Sequence, residues 1–244
     1  MGNDAGAVGG EGPGRAGLWE DFVDIFYTPS SVFARRSDGK FGMALLFLVL
    51  VGTVLVFLTK NATQPIMDAE FARQSAAAMR RNPNLTAEQM AGGRGFFEMF
   101  APLIFALFLT ISIFGTGVVL WLVGKLFDAK ESVAAAIMIA TYSEVPRLVQ
   151  ILTNAAQGLV MAPEKLNSMN AVGFSLARFM DPEGSQVMIA LASRIDLFTI
   201  WVTVLLAIGL HVVGKIPKQQ TGIAAAITWV VGALPAVLGA LRAG

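Results

Sequence analysis

Five apolar blocks recur along this chain, and charge interrupts the third of them. That block runs from Ala134 to Val149 and carries Glu144, Pro146 and Arg147 near its middle. A charge inside such a segment is costly in lipid, so the face that bears it must look toward protein or water. The conflict predicts a membrane bundle and indicates where its interior lies. Composition agrees: 55% of the residues are hydrophobic and 14% are charged, against about a quarter charged in ordinary soluble domains. The net charge of +1 supplies no basic patch for nucleic acid. Cysteine is absent and His211 is the single histidine, which removes thiolate metal sites and paired-histidine zinc motifs. No phosphate-binding loop, dinucleotide fingerprint or nucleophile elbow occurs, so the sequence implies neither an enzyme nor a cofactor.

The chain reads as an all-α polytopic membrane protein. Residues 1–17, rich in glycine, are expected as a disordered tail. Residues 18–40 are expected as amphipathic membrane-surface helices: Leu18, Trp19, Phe22, Ile25 and Phe26 recur at helical spacing, with Glu20, Asp21 and Asp24 between them. Thr28-Pro29 resembles an N-cap with proline at the first helical position. Val32 and Phe33 continue the apolar face, and Arg35, Arg36 and Lys40 follow. Trp19, Phe22, Phe26 and Phe33 are therefore candidate contacts to the membrane surface or to a partner; a helix packed on the ends of its own bundle explains the pattern equally well.

Residues 41–241 are expected to hold five transmembrane helices, at about 41–58, 99–127, 132–160, from a start within 186–197 to 213, and at 223–241. An extramembrane hairpin is expected over about 60–98, broken at Asn82-Pro83-Asn84, restarted by a capping box at Thr86–Gln89 and ended by Gly92, Gly93 and Gly95. A polar loop fills about 161–185. Three basic residues stand just before the first span and Lys60 alone just after it, which predicts a cytoplasmic N-terminus.

Ser143, Arg147, Gln150, Asn154 and Gln157 are separated by four, three, four and three residues, a spacing that draws one polar stripe along a helix. Glu144 and Arg147, three apart, are within reach of each other. Ser143, Glu144, Arg147, Gln150, Asn154 and Gln157 thus form the candidate intramembrane polar site. Three readings stand: a structural pair and stripe gluing helices together, a break at Pro146 with an interfacial second half, or a functional path or docking face. His211 reads as a hydrogen-bonded interface residue and Arg194 and Asp196 as snorkelling boundary residues. Gly232, Ala236 and Ala240 form a small-residue row suited to helix packing.

Asp24-Ile-Phe-Tyr-Thr-Pro-Ser-Ser-Val-Phe33, Thr86–Gln89, Tyr142-Ser-Glu-Val-Pro146 and Asp196-Leu-Phe-Thr-Ile-Trp201 leading to Gly209 occur in an order that resembles the Ypt-interacting-protein (YIP) family. The resemblance spans about 18–241 and is to bacterial-type members. It implies five helical spans and a cytosolic N-terminus. Eukaryotic members engage Rab-type GTPases through an Asp-Leu-Tyr-Gly-Pro motif. Here Asp24-Ile-Phe-Tyr-Thr-Pro29 stands instead, which argues against a GTPase partner. The expected function is a non-enzymatic scaffold or accessory subunit in a bacterial inner membrane, whose partners are the lipid bilayer and a membrane protein or second copy of itself. The alternative is a small transporter or channel with a polar path around Glu144 and Arg147.

Overall fold

A computed structural model describes residues 17–243; the tail expected over 1–17 lies, except for Gly17, outside the described residues. The described chain is helical, in the order α1 (Leu18–Asp24), α2 (Pro29–Arg35), α3 (Gly42–Arg81), α4 (Ala87–Lys125), α5 (Val133–Ser143), α6 (Pro146–Val160), α7 (Gln186–Arg194), α8 (Leu197–Val212), α9 (Lys218–Val231) and α10 (Leu234–Ala243). Three 3₁₀ turns and one isolated bridge, Ser175 to Asp196, occupy the segment between α6 and α8.

Three helical stretches are long and apolar enough to cross a membrane: Gly42–Arg81, Ala87–Lys125 and Lys218–Arg242. α8 is a shorter apolar helix of 16 residues, about 24 Å of rise against the ~30 Å hydrocarbon core. The third apolar block is divided into α5 and α6, of 11 and 15 residues. Proline explains the division. Pro146 has no N–H to offer the Tyr142 carbonyl, and Val145 N–H takes that acceptor instead at 3.3 Å. Glu144 and Val145 keep right-handed backbone angles across the joint.

The expected stop at Gly92–Gly95 does not occur. α3 runs unbroken through Pro65 to Arg81, and α4 runs unbroken from Ala87 to Lys125. Each internal glycine costs a helix roughly 1 kcal/mol relative to alanine, but propagation from an existing helix adds a hydrogen bond for every residue fixed. The capping box does form: Thr86 Oγ1 accepts from Gln89 N–H at 3.2 Å, and Thr86 N–H donates to Gln89 Oε1 at 3.0 Å. The distal arm of this helix pair is held by the loop beyond α6. Ile66 of α3 packs with Leu166 and Val172, Arg73 donates to the Asn167 carbonyl, and Met169 N–H donates to Glu70 at 3.1 Å.

α5 is the axis of the bundle. Every residue from Ala135 to Ser143 is buried, as expected of a short helix that is apolar on all sides. α4 and α8 pack on it, α3 packs on α4 and α6, and α9 closes the ring between α4 and α8. Glycine allows the closest approaches. A Cβ on Gly117 of α4 would lie 2.7 Å from the Ile137 Cα, and one on Gly209 of α8 would overlap the Ile139 side chain. A Cβ on Gly115 would meet nothing within 4 Å.

Gly117→Ala is therefore expected to destabilise the protein by about 1–3 kcal/mol, as overpacking does, because the atom it strikes is backbone. Gly209→Ala is expected to be destabilising to a similar degree, since the added Cβ would strike Cγ2, Cγ1 and Cβ of Ile139, a fully buried β-branched side chain that a helix holds to one rotamer. Gly115→Ala is expected to be neutral or mildly stabilising. Thermal unfolding in detergent checks the order; equal effects at positions 115 and 117 would contradict the packing argument.

Candidate functional site

Two polar centres lie within this apolar bundle. The first is the seam that follows α5. The Glu144 carboxylate accepts from Arg147 Nε at 2.9 Å, and Arg147 Nη1 donates to Gln150 Oε1 at 2.9 Å. Longer contacts carry the chain across to α8: Arg147 Nη2 to Thr199 Oγ1 and Gln150 Nε2 to Asp196 Oδ1, each 3.4 Å. Asp196 does not snorkel. It is buried as the N-cap of α8, where Oδ1 accepts from the N–H groups of Phe198 and Thr199 at 3.0 Å each. A carboxylate at that end complements the helix dipole. The backbone leaves the helical conformation at Ile195, where α7 ends, and is extended at Asp196; this is why α8 is shorter than the apolar run that contains it.

The remaining stripe residues hold the adjoining loop. Oriented with its amide nitrogen inward, Asn154 donates to the carbonyls of Gln150 and Val172 at 3.3 and 2.8 Å. Gln157 donates to Val172 at 2.7 Å and accepts from Arg178 Nη1 at 2.7 Å. Ser143 stands apart: it is fully buried at the end of α5, and its hydroxyl has no partner. The interruption before Pro146 separates it from the face that Arg147 begins.

Arg194 forms a second tie, between the ends of α7 and α9. Its Nη2 donates to the Trp229 carbonyl at 2.9 Å, Trp229 Nε1 donates back to the Arg194 carbonyl at 3.3 Å, and the guanidinium lies over the indole ring, 5.6 Å from its centroid. Gly232 follows, so close that a Cβ there would lie 3.2 Å from Arg194 Nη2. Of the small-residue row, Gly232 and Ala236 are exposed and Ala240 is half-buried. His211 Nδ1 lies 2.8 Å from the Ile216 carbonyl, at the end of α8.

The second centre was not evident in the sequence. Asp21 is fully buried (0% exposed) between α1, α2 and α5. Its Oδ1 accepts from Arg35 Nη2 at 2.7 Å, its Oδ2 from Arg36 Nε at 2.6 Å, and the Tyr142 hydroxyl lies 3.4 Å from Oδ2. Arg35 also pairs with Asp24 at 2.6 Å. The available signal was positional: Asp21 falls three residues after Leu18 and four before Ile25, on the apolar arc of α1. The aromatic residues divide around this clasp. Phe22 and Phe33 are buried in the bundle core, Phe26 stacks edge-on against Trp201 at 5.4 Å, and Trp19 is 68% exposed although its ring edge meets Phe47 at 6.2 Å. Beside α1, an apolar groove of about 320 Å³ is walled by Phe22 and Phe26, by Val51 and Leu55 of α3, and by Leu148 and Leu152 of α6. Among the described residues, no three His, Asp or Glu side chains gather as metal ligands.

Asp21→Asn removes the charge that both arginines share in a buried site. Breaking a buried pair costs about 3–5 kcal/mol, so the variant is expected to unfold at lower temperature and to release α1 and α2. Limited trypsin digestion checks this. Cleavage after Arg35 or Arg36 should be faster than in the parent while cleavage elsewhere is unchanged; unaltered cleavage there would count against the clasp.

The Yip1 domain matches residues 23–239, which takes in the seam, the long helices and, of the clasp, Arg35, Arg36 and Tyr142 but not Asp21. No curated protein and no solved structure matches the chain. The chain belongs to the Yip1 domain family and is an integral membrane protein of helical type.

Proposed function

We propose that this protein is a non-enzymatic scaffold or accessory subunit of a membrane complex, crossing a bacterial inner membrane five times with its N-terminus in the cytoplasm. In this reading α3, α4, α5 with α6, α8, and α9 with α10 are the five crossings. The observation that carries the proposal is the closure of the seam. Glu144, Arg147 and Gln150 bond to one another and reach the cap of α8, and Asn154 and Gln157 bond the loop beyond α6. Polar groups satisfied in this way act as glue between helices and leave few free groups for a moving solute. The outer faces of α3 and α4 offer the opposite: Leu46, Leu50 and Phe57 on one and Leu103, Leu107 and Phe108 on the other are exposed. Such faces suit lipid and the flank of a second membrane protein or second copy. Both helices are about 60 Å long, twice the ~30 Å hydrocarbon core. Their joined distal ends therefore extend beyond it and offer a partner a second surface.

A transporter reading rests on Arg147, whose side chain keeps about a third of its surface exposed (32%). Reconstitution separates the two. With the scaffold role, liposomes holding the purified protein pass protons and small solutes no faster than empty liposomes, and mild-detergent extraction from the native membrane brings down one stoichiometric partner or a homo-oligomer. Flux that is present in the parent and abolished in a folded Glu144→Gln/Arg147→Ala variant would replace the scaffold with a transporter.

A further inference from the structure

The turn between α4 and α5 holds a carboxyl group that neither centre uses. Glu131 is 3% exposed, and neither of its carboxyl oxygens has a hydrogen-bond partner. Backbone encloses it on two sides. A Cβ placed on Gly124 of α4 would overlap Oε1, and one placed on Gly214, just beyond α8, would lie 2.7 Å from Oε2. Ala129 fills the space between: its Cβ lies 3.1 Å from the Gly124 position and 3.4 Å from the Gly214 position. The glycines thus make room for the carboxyl.

The surrounding charges do not neutralise it. Lys125, on α4, is the nearest cation, but its Nζ donates to the carbonyls of Ala129 and Glu131 at 2.9 and 3.1 Å. Asp128 and Lys130 in the turn, Lys215 after α8 and Lys218 at the start of α9 are exposed. His211 on α8 is engaged with the Ile216 carbonyl. An ionised carboxylate without a partner in such a place is expensive, and the usual escape is to keep the proton. Burial pushes the Glu131 carboxyl above the ordinary carboxylate range, and its own backbone N–H and Lys125 oppose this only in part.

We propose that Glu131 is a proton-binding site that latches the α4–α5 turn to the end of α8. Protonated, the side chain fits neutral between Gly124 and Gly214, and Lys130 N–H donates to the Gly214 carbonyl at 2.9 Å, tying the turn to α8. On losing the proton the carboxylate draws Lys125 away from the two carbonyls it holds and moves toward water, and the turn separates from α8. The folded state binds this proton more tightly than the unfolded chain does. The stabilisation is therefore complete below the ordinary glutamate range and is lost as pH rises through the raised value.

Glu131→Gln keeps the shape and cannot ionise; Glu131→Met, apolar and of similar length, is the second neutral reference. Thermal unfolding in detergent between pH 4 and pH 9 is expected to show parent and variants together at the acid end. The parent should then fall behind by about 2 °C or more at the alkaline end, where ~1 kcal/mol corresponds to 2–4 °C for a chain of this size. The protection factor of the Lys130 amide, its intrinsic exchange rate divided by the observed rate at each pH, should fall over the same pH range in the parent and stay constant in the variants. The proposal is overturned if the variants are the less stable proteins and fall further behind as pH rises, which would mean an ionised Glu131 bound to Lys125. A Lys130 protection factor that is independent of pH in the parent would also overturn it.

Discussion

The close approach of α5 to its neighbours is the constraint on which the other features depend. An eleven-residue helix is too short to be stable alone; it persists because α4 and α8, with α3 and the Phe22 ring of α1, cover it. Gly117 and Gly209 let their helices come near enough to do so. With α5 held at the centre, its two ends acquire fixed surroundings. Tyr142 at one end presents its hydroxyl to Asp21; at the other end Ser132 caps α5 and Lys125 of α4 holds the carbonyls of Ala129 and Glu131.

The buried charges follow one rule: a charge that leaves water must meet an opposite charge or several donors. Asp21 meets two guanidinium groups, Glu144 meets Arg147, and Asp196 meets the backbone N–H groups of the helix it begins. The Glu144 and Asp196 bonds are local, while the Asp21 bonds and the Gln150–Asp196 contact join separate segments. The clasp fixes α1 and α2 against α5, and the seam fixes α6 against α8. Burying them adds little net stability, but removing one partner is costly, and that asymmetry makes them registration devices.

Interruptions in the helices serve the same end. Pro146 divides α5 from α6, Asp196 opens α8, and Gly232 closes α9 before Leu234 begins α10. Beside each interruption lies a polar tie: Arg147 to Glu144, Gln150 to Asp196, and Arg194 to Trp229. Backbone groups freed at a helix end need partners in an apolar bundle, so breaks and polar side chains occur together.

The features legible in the sequence were those set by neighbours a few residues apart. The apolar blocks, the helical class, the capping box at Thr86 and the Glu144–Arg147 pair all arise within one or two turns of helix. The unbroken length of α3 and α4 was not legible, because Gly92–Gly95 weakens a helix locally while the adjoining turns sustain it. Asp21 was read with Glu20 and Asp24 as part of a polar face, since nothing within α1 reveals Arg36 at 15 residues' distance or Tyr142 at 121. The unpartnered carboxyl of Glu131 was hidden for the same reason: its walls come from α4 and the end of α8. Sequence alone determined which segments prefer lipid or protein to water, because that preference belongs to each side chain. Tertiary structure decided which buried charges are paired and which is left alone, because that depends on how helices distant in the chain are packed.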